Sequence, residues 1–245
     1  MCRMFAVTAQ VPVRVEEAFK ALQRLAEEHK DGWGVARFDG QEPWVETSVH
    51  QASQCRRFAS LGESETRSLL AHIRLASVGT VQKENTHPFF ARGFAFMHNG
   101  TTAHFARSRS TLEAELSPRR RAALKGDTDS ERCFALFLTY LEDIAEPSLR
   151  DLARALVRVM DTVSRICDVP GEEKRSSLNF LVSDGRRFVA TRRGRTLFSA
   201  EAEQAKFIAS EALLPGQRWT PVPEDGVVTI DTDLTLRRWT LEDFR

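Results

Sequence analysis

The second residue of the chain is a cysteine, with only Met1 before it. A methionine followed by a small residue is normally trimmed. Cys2 would then head the chain, carrying a thiol and a free α-amine on one residue. The thiolate is the reactive form, with a reference pKa of about 8.5, while the amine, at about 7.7–8.0, is partly unprotonated near neutrality. A nucleophile that carries its own base is equipped for acyl transfer through a covalent intermediate. Cys2 alone could equally be an accident of composition.

Four segments further along add polar groups that could serve such chemistry. They are Asp31-Gly32-Trp33-Gly34, then Ala71-His72-Ile73-Arg74-Leu75-Ala76-Ser77-Val78-Gly79, then Asn85-Thr86-His87-Pro88-Phe89 running on to His98-Asn99-Gly100, and finally Gly126-Asp127-Thr128-Asp129-Ser130-Glu131. Each is weak in isolation. His72, His87 and His98 invite a metal site, but their spacings match no zinc pattern and no cluster of Cys or acidic residues accompanies them. They are expected to be satisfied structural histidines, and no metal or cofactor is expected. Asn99-Gly100 could be an ordinary type I′ turn, a conformation that would also expose the glycine N–H. Trp33 is expected in the core or pocket wall, and Cys55, Cys133 and Cys167 as packing thiols.

The elements that must position these groups read as mixed α and β. Residues 4–8, 33–38, 44–49, 69–75 and 93–97 have strand character, and 15–28 carries an apolar helical face. Residues 101–121 read as short helix and loop, with Arg119-Arg120-Arg121 as a solvated face. Thr128 and Glu131 have the spacing of a capping box and open a helix, and 148–166 is a second strong helix. The period then changes to two, giving strands at 178–183, 188–191, 206–209, 217–222, 227–231 and 235–240, with a hairpin turn at Asp184-Gly185. Strands at both ends with long helices between them imply sheets covered by helices.

Composition excludes several classes. The chain has 245 residues, 42% of them hydrophobic, with 35 Lys plus Arg against 34 Asp plus Glu. A net charge of +1 gives no basic surface for nucleic acid. No signal peptide or membrane span is visible, and the cysteine spacing suits a reducing cytoplasm. One domain is expected over residues 1–245, with Cys2 at its head once Met1 is removed.

The ordered set of Cys2, the Arg74 segment, Asn99-Gly100 and the Asp129 segment resembles the class II glutamine amidotransferases, of the N-terminal nucleophile hydrolase superfamily, and most of all their small stand-alone members. The motifs run from Cys2 to about Leu138 and continue more loosely through 177–185 and 208–216. The resemblance implies a four-layer αββα sandwich of two antiparallel sheets between helical layers. It implies that Cys2 attacks the side-chain amide of glutamine to give a γ-glutamyl thioester and ammonia. It assigns the oxyanion hole to the Asn99 side chain and the Gly100 N–H, the α-carboxylate to Arg74 and the α-ammonium to Asp129, with Ser77 and His87 lining the same pocket. A fixed cation and a fixed anion are what a site must supply to read both ends of a zwitterion. Asp129, at a helix start, could instead simply favour the dipole.

The chain departs from the large synthases of the family at Leu75, where they carry an aromatic residue, and at Val78, where they often carry histidine. In the synthases those residues help gate the site and couple it to an acceptor domain, and no such domain is expected in the sequence to Arg245. Three functions therefore stand side by side. One is glutamine hydrolysis, with ammonia released or passed to a separate acceptor subunit. Another is hydrolysis of γ-glutamyl amide bonds in a larger molecule. The third, of a different class, is a non-enzymatic interaction protein on a retained fold.

Overall fold

A computed structural model describes residues 2–40 and 43–245. Its strands are β1 (Arg3–Val13), β2 (Trp33–Arg37), β3 (Trp44–Ser48), β4 (Thr66–Ile73), β5 (Phe89–Ala91), β6 (Phe94–Thr101), β7 (Ser177–Ser183), β8 (Phe188–Thr191), β9 (Phe198–Glu201), β10 (Ala205–Ala209), β11 (Trp219–Pro221), β12 (Gly226–Ile230) and β13 (Leu236–Thr240). The helices are α1 (Glu16–Leu25), α2 (Arg56–Glu63), α3 (Phe105–Ala114), α4 (Pro118–Ala122), α5 (Asp129–Tyr140) and α6 (Leu149–Cys167). The strands form a seven-stranded sheet in the order β11-β9-β10-β1-β4-β2-β3 and a six-stranded sheet in the order β13-β12-β8-β7-β6-β5. Every described pairing is antiparallel.

The period-two alternation of strands sorts the apolar residues into three cores. In β1, Phe5 and Val7 face a cluster with Ala18, Phe19 and Leu22 of α1 and Phe58 of α2. Met4 and Ala6, one residue out of phase, join Leu70, Met97, Leu181 and Ile208 in a cluster drawn from both sheets and no helix. On the far side, Phe96, Phe180 and Val182 pack against Phe137, Leu156 and Met160 of the long helices. Helix, sheet, sheet and helix are therefore stacked, which is the four-layer αββα architecture expected from the resemblance. Trp33 is a core residue, its ring 5.3 Å from that of Phe58. Cys133 and Cys167 are buried packing thiols, and burial pushes both upward in pKa.

Several local expectations change. Residues 56–63 carry just two strongly apolar residues, Phe58 and Leu61, so periodicity did not mark α2. The helix is selected by packing: a Cβ on Gly62 would lie 2.6 Å from the Phe19 side chain, so α1 and α2 approach closely there. Strands β5 and β9, of three and four residues, are too short to show a period. Asn99 and Gly100 form no turn; they lie inside β6 opposite Asn179 and Leu178 of β7. Gly100 is required by crowding, since a Cβ there would meet the Ser177 carbonyl oxygen at 1.9 Å. Arg120 is buried rather than solvated, with a carboxylate oxygen of Glu142 at 3.7 Å, while Arg119 and Arg121 are exposed.

Helix starts explain the two long helices. Ser148 and Asp151 close a full capping box at the head of α6. At α5 the box is half made. Thr128 accepts the Glu131 N–H at 3.2 Å, but the Glu131 carboxylate reaches back to the N–H groups of Lys125 and Gly126.

The histidines divide. His98 is satisfied, with Nδ1 2.9 Å from Ser130 Oγ and Nε2 2.9 Å from the Ser177 carbonyl. His72 and His87 stack on each other with ring centroids 4.4 Å apart, and their ring nitrogens are buried without well-formed hydrogen bonds. Among the described residues no group of His, Cys, Asp and Glu is arranged to hold a metal ion. Burial pushes the pKa of His72 down to about 3 and that of His87 well below its usual value. Burial therefore favours the neutral form of both rings, which stack on each other beside Phe89.

Two outcomes are expected. Ser148→Ala should lower unfolding free energy in urea by about 1 kcal/mol through loss of the cap. The second concerns acid. Unfolded histidine takes up a proton as pH falls through about 6.5, whereas folded His72 and His87 resist it. Their contribution is thus present above pH ~6.5 and lost as pH falls below it, for His72 down to about 3, at up to about 1.4 kcal/mol per pH unit for each ring. Melting temperature measured from pH 7 to 4 should fall, and His87→Gln should flatten that slope; an equally steep decline in the variant would contradict the assignment.

Candidate active site

The parity of β1 decides where Cys2 points. Met4 and Ala6 face the space between the sheets, so residue 2 continues on that side. The head of the strand is fastened from outside. Ser210 Oγ accepts the Met4 N–H at 3.0 Å, the Ser210 N–H donates to the Met4 carbonyl at 3.0 Å, and Arg3 pairs with Glu211 at 3.1 Å. Cys2 Sγ lies 3.5 Å from both main-chain groups of Leu75, accepting its N–H and donating to its carbonyl. Burial pushes the thiol up in pKa, opposed by the Leu75 N–H and by the positive charge of Arg74. The thiol is thus neutral at rest and needs a base. Removal of Met1, on which the amine base depends, lies outside the described residues.

Cys2 opens on a cavity of about 150 Å³, lined also by Leu75, Ala76, Ser77, Asn99, Gly100, Thr101 and Arg195. Asn99 reaches it by the same parity argument from the other sheet. Ala95 and Met97 of β6 face the inter-sheet core, whereas Phe94 and Phe96 face the helices. The Asn99 side chain is buried, and its Oδ1 meets no donor. A buried carboxamide with an unfilled bonding position beside a cavity is poised to bind something there. Ser77 is held by Thr101, hydroxyl to hydroxyl at 2.8 Å, and Asp31 accepts the Ala76 N–H at 2.7 Å.

Arg74 and Asp129 stand behind the cavity wall rather than lining it. Both are 3% exposed, and their charges act on Cys2 in opposite directions. Arg74, just past the end of β4, donates from Nη1 to the Thr80 carbonyl and from Nη2 to the Val78 carbonyl, each at 3.2 Å. A guanidinium has five N–H donors, so this leaves capacity for a carboxylate. Asp129 accepts the Thr102 N–H at 2.6 Å on one oxygen and the Ser130 N–H at 2.9 Å on the other. It therefore fixes the turn after β6 as well as favouring the start of α5. His87 does not reach the cavity; its ring lies between those of His72 and Phe89.

The sequence assigns no role to three further contributors, although Asn85 heads one of its four polar segments. Asn85 joins the two charged segments: its amide donates to the Thr80 carbonyl at 2.9 Å, and its Oδ1 accepts the Asp127 N–H at 3.0 Å. Asn179, directly opposite Asn99 in the sheet, donates to the carbonyls of Arg195 and Thr196, each at 3.1 Å. Arg195 itself sits in the run Arg192-Arg193-Gly194-Arg195, which reads as ordinary surface charge. Its place in the cavity depends on the loop between β8 and β9.

Comparison with known proteins follows the same outline. A protein of Saccharomyces cerevisiae named "Probable glutamine amidotransferase" is 27% identical over 228 residues, spanning 78% of this chain and 63% of that one. A relative from Haemophilus influenzae is matched over 62% of its length, so this chain spans less than two thirds of both. The gamma-glutamyl-hercynylcysteine sulfoxide hydrolase of Mycobacterium tuberculosis is 25% identical, over 89% of this chain and 82% of that one. Among solved structures, a glutamine aminotransferase class-II domain protein from Silicibacter pomeroyi superposes with a TM-score of 0.70 at 24% identity, covering 98% and 99% of the two chains. The glutamine phosphoribosylpyrophosphate amidotransferase of B. subtilis gives a TM-score of 0.72 at 15% identity, covering 98% of this chain and 49% of that one. The family model of the class-II glutamine amidotransferases matches residues 1–212, and the chain belongs to that family.

Proposed function

We propose that the chain is a cysteine amidohydrolase that cleaves γ-glutamyl amides, glutamine being the simplest, through a thioester on Cys2. The observation that carries this reading is that Cys2, Asn99 and Gly100, from two different sheets, share one small cavity. In the proposed reaction Met1 has been removed and the Cys2 amine takes the thiol proton. The sulfur bonds to the γ-carbonyl carbon, and the charge that develops on oxygen is met by the Asn99 amide and the Gly100 N–H. The C–N bond then breaks as the amine returns the proton to the leaving nitrogen. Water hydrolyses the thioester, releasing glutamate and restoring the thiol.

Arg74 and Asp129 serve in this reading as the partners of the α-carboxylate and α-ammonium, with Ser77 on the cavity wall. The cavity, at about 150 Å³, is smaller than the roughly 300 Å³ at which small-molecule sites begin. Substrate entry therefore requires the cavity wall to open toward Arg74, whose remaining N–H donors are available to a carboxylate. The hydrolase from Mycobacterium tuberculosis, matched along most of both chains, supports a γ-glutamyl substrate larger than glutamine. Leu75 and Val78, in place of the synthase residues, support release of the amine rather than its transfer to an attached acceptor domain. Ammonia from glutamine would go to water or to a separate acceptor protein. The free state of the described cysteines fits a cytoplasmic setting, and the whole chain is proposed to act as one domain.

Intact-mass measurement should show Met1 missing, and a diazo-ketone glutamine analogue should add one label, on Cys2, that Cys2→Ala does not take. Asn99→Ala should lower kcat by about 100- to 1,000-fold, with KM changed far less. A retained Met1 would leave the proposed base acylated. Absence of any label on the wild-type chain would favour the non-enzymatic alternative.

A further inference from the structure

Among the described residues, Arg195 is the one permanently charged residue on the cavity wall that holds Cys2, and no carboxylate lines the cavity with it. Its neighbours in the sequence are paired: Arg192 lies 3.7 Å from Glu224, and Arg193 bonds Asp225 at 2.6 Å. Among the described residues Arg195 has no acidic partner within ion-pair distance, and its Nε is buried with no hydrogen bond. A buried donor left without an acceptor is costly, and native structures seldom keep one without a purpose.

The backbone that presents this guanidinium is fixed. The Arg195 carbonyl accepts Arg192 Nε at 2.8 Å and the Asn179 amide at 3.1 Å. Thr196 Oγ1 donates to the Ser210 carbonyl at 2.9 Å, and Ser210 is the same residue that fastens the head of β1. Arg195 and Cys2 are thus held to one support, so the distance between them is preorganised.

Resting on the proposed γ-glutamyl reading, the charges can be counted. The two charged ends of the glutamyl group are taken by Arg74 and Asp129. When glutamine is the substrate the leaving group is ammonia, which offers nothing to a third charged residue. We infer that Arg195 recognises an anion on the leaving side, so that the substrate class is a γ-glutamyl amide of an amino acid or peptide whose departing amine carries a carboxylate. The chemistry at the carbonyl is unchanged: the sulfur–carbon bond forms, the carbon–nitrogen bond breaks, the leaving nitrogen takes the proton, and a free amino acid or peptide departs. Water then releases glutamate.

The test compares γ-glutamylglycine with γ-glutamylglycinamide, which has the same length but no leaving-side charge, and with glutamine. Wild-type kcat/KM should favour γ-glutamylglycine over the amide by about 10- to 100-fold, as expected for one charge-assisted pair. Arg195→Gln should erase that preference and Arg195→Lys should keep part of it, with folding of both checked by melting temperature. No preference in the wild-type chain, or an equal loss on all three substrates in Arg195→Gln, would overturn the inference. The two readings fail separately. If the wild-type chain cleaves glutamine without preferring γ-glutamylglycine, only the Arg195 inference is lost. If it cleaves none of the three, or if Cys2→Ala cleaves them as well as wild type does, the Cys2 reading falls first.

Discussion

The hydrogen-bonded embedding of β1 is the constraint from which the rest follows. That strand is central, paired to β10 on one side and β4 on the other, so its first residues cannot fray as chain termini usually do. Ser210 and Glu211 clamp the strand head from the β10 side. A cysteine at position 2 is thereby held at the mouth of the inter-sheet layer. Everything else in the cavity is defined relative to that sulfur. Leu75 meets it just past the end of β4, and Asn99 and Gly100 line the same cavity from the opposite sheet.

The electrostatics of the site favour a thiol that is quiet until engaged. Burial outweighs the Leu75 N–H and the Arg74 charge, and Asp129 pushes the same way as burial. A permanently ionised sulfur would be open to oxidation and alkylation. In the proposed mechanism, a neutral thiol that loses its proton only to the amine of its own residue confines reactivity to the occupied site. The loop carbonyls on Arg74 add a second restraint. The cation is engaged by the Val78 and Thr80 carbonyls, and in the proposed reading its remaining donors take a carboxylate. Both features fit the proposed reading, in which the site becomes reactive once a substrate is bound.

Much of this was legible in the sequence because chemistry-bearing residues came in ordered local segments and because long elements announce their period. Helix α6 lies where periodicity put it, since nineteen residues with a continuous apolar stripe leave little ambiguity. Asn99-Gly100 was readable as a turn because local sequence cannot show that β7 lies alongside and pairs with both residues. Helix α2 was invisible because its stability comes from contact with Phe19 rather than from its own pattern. His87 was placed in the pocket by resemblance, whereas its ring is taken up by His72 and Phe89. Arg195 illustrates the opposite failure. An arginine in a basic surface run has no local mark of function; the loop after β8, whose Arg195 carbonyl is held by Asn179 of β7, places it on the cavity wall with Cys2.

The central claim is that the sulfur of residue 2 carries the acyl group. Rapid acid quench during turnover of a γ-glutamyl amide, followed by peptide mass analysis at low pH, where thioesters survive, reads this directly. The account predicts a γ-glutamyl adduct on a peptide that begins with Cys2, present in the steady state and lost when substrate is exhausted. Turnover with that peptide unmodified throughout, or with the acyl group found on another residue, would contradict it.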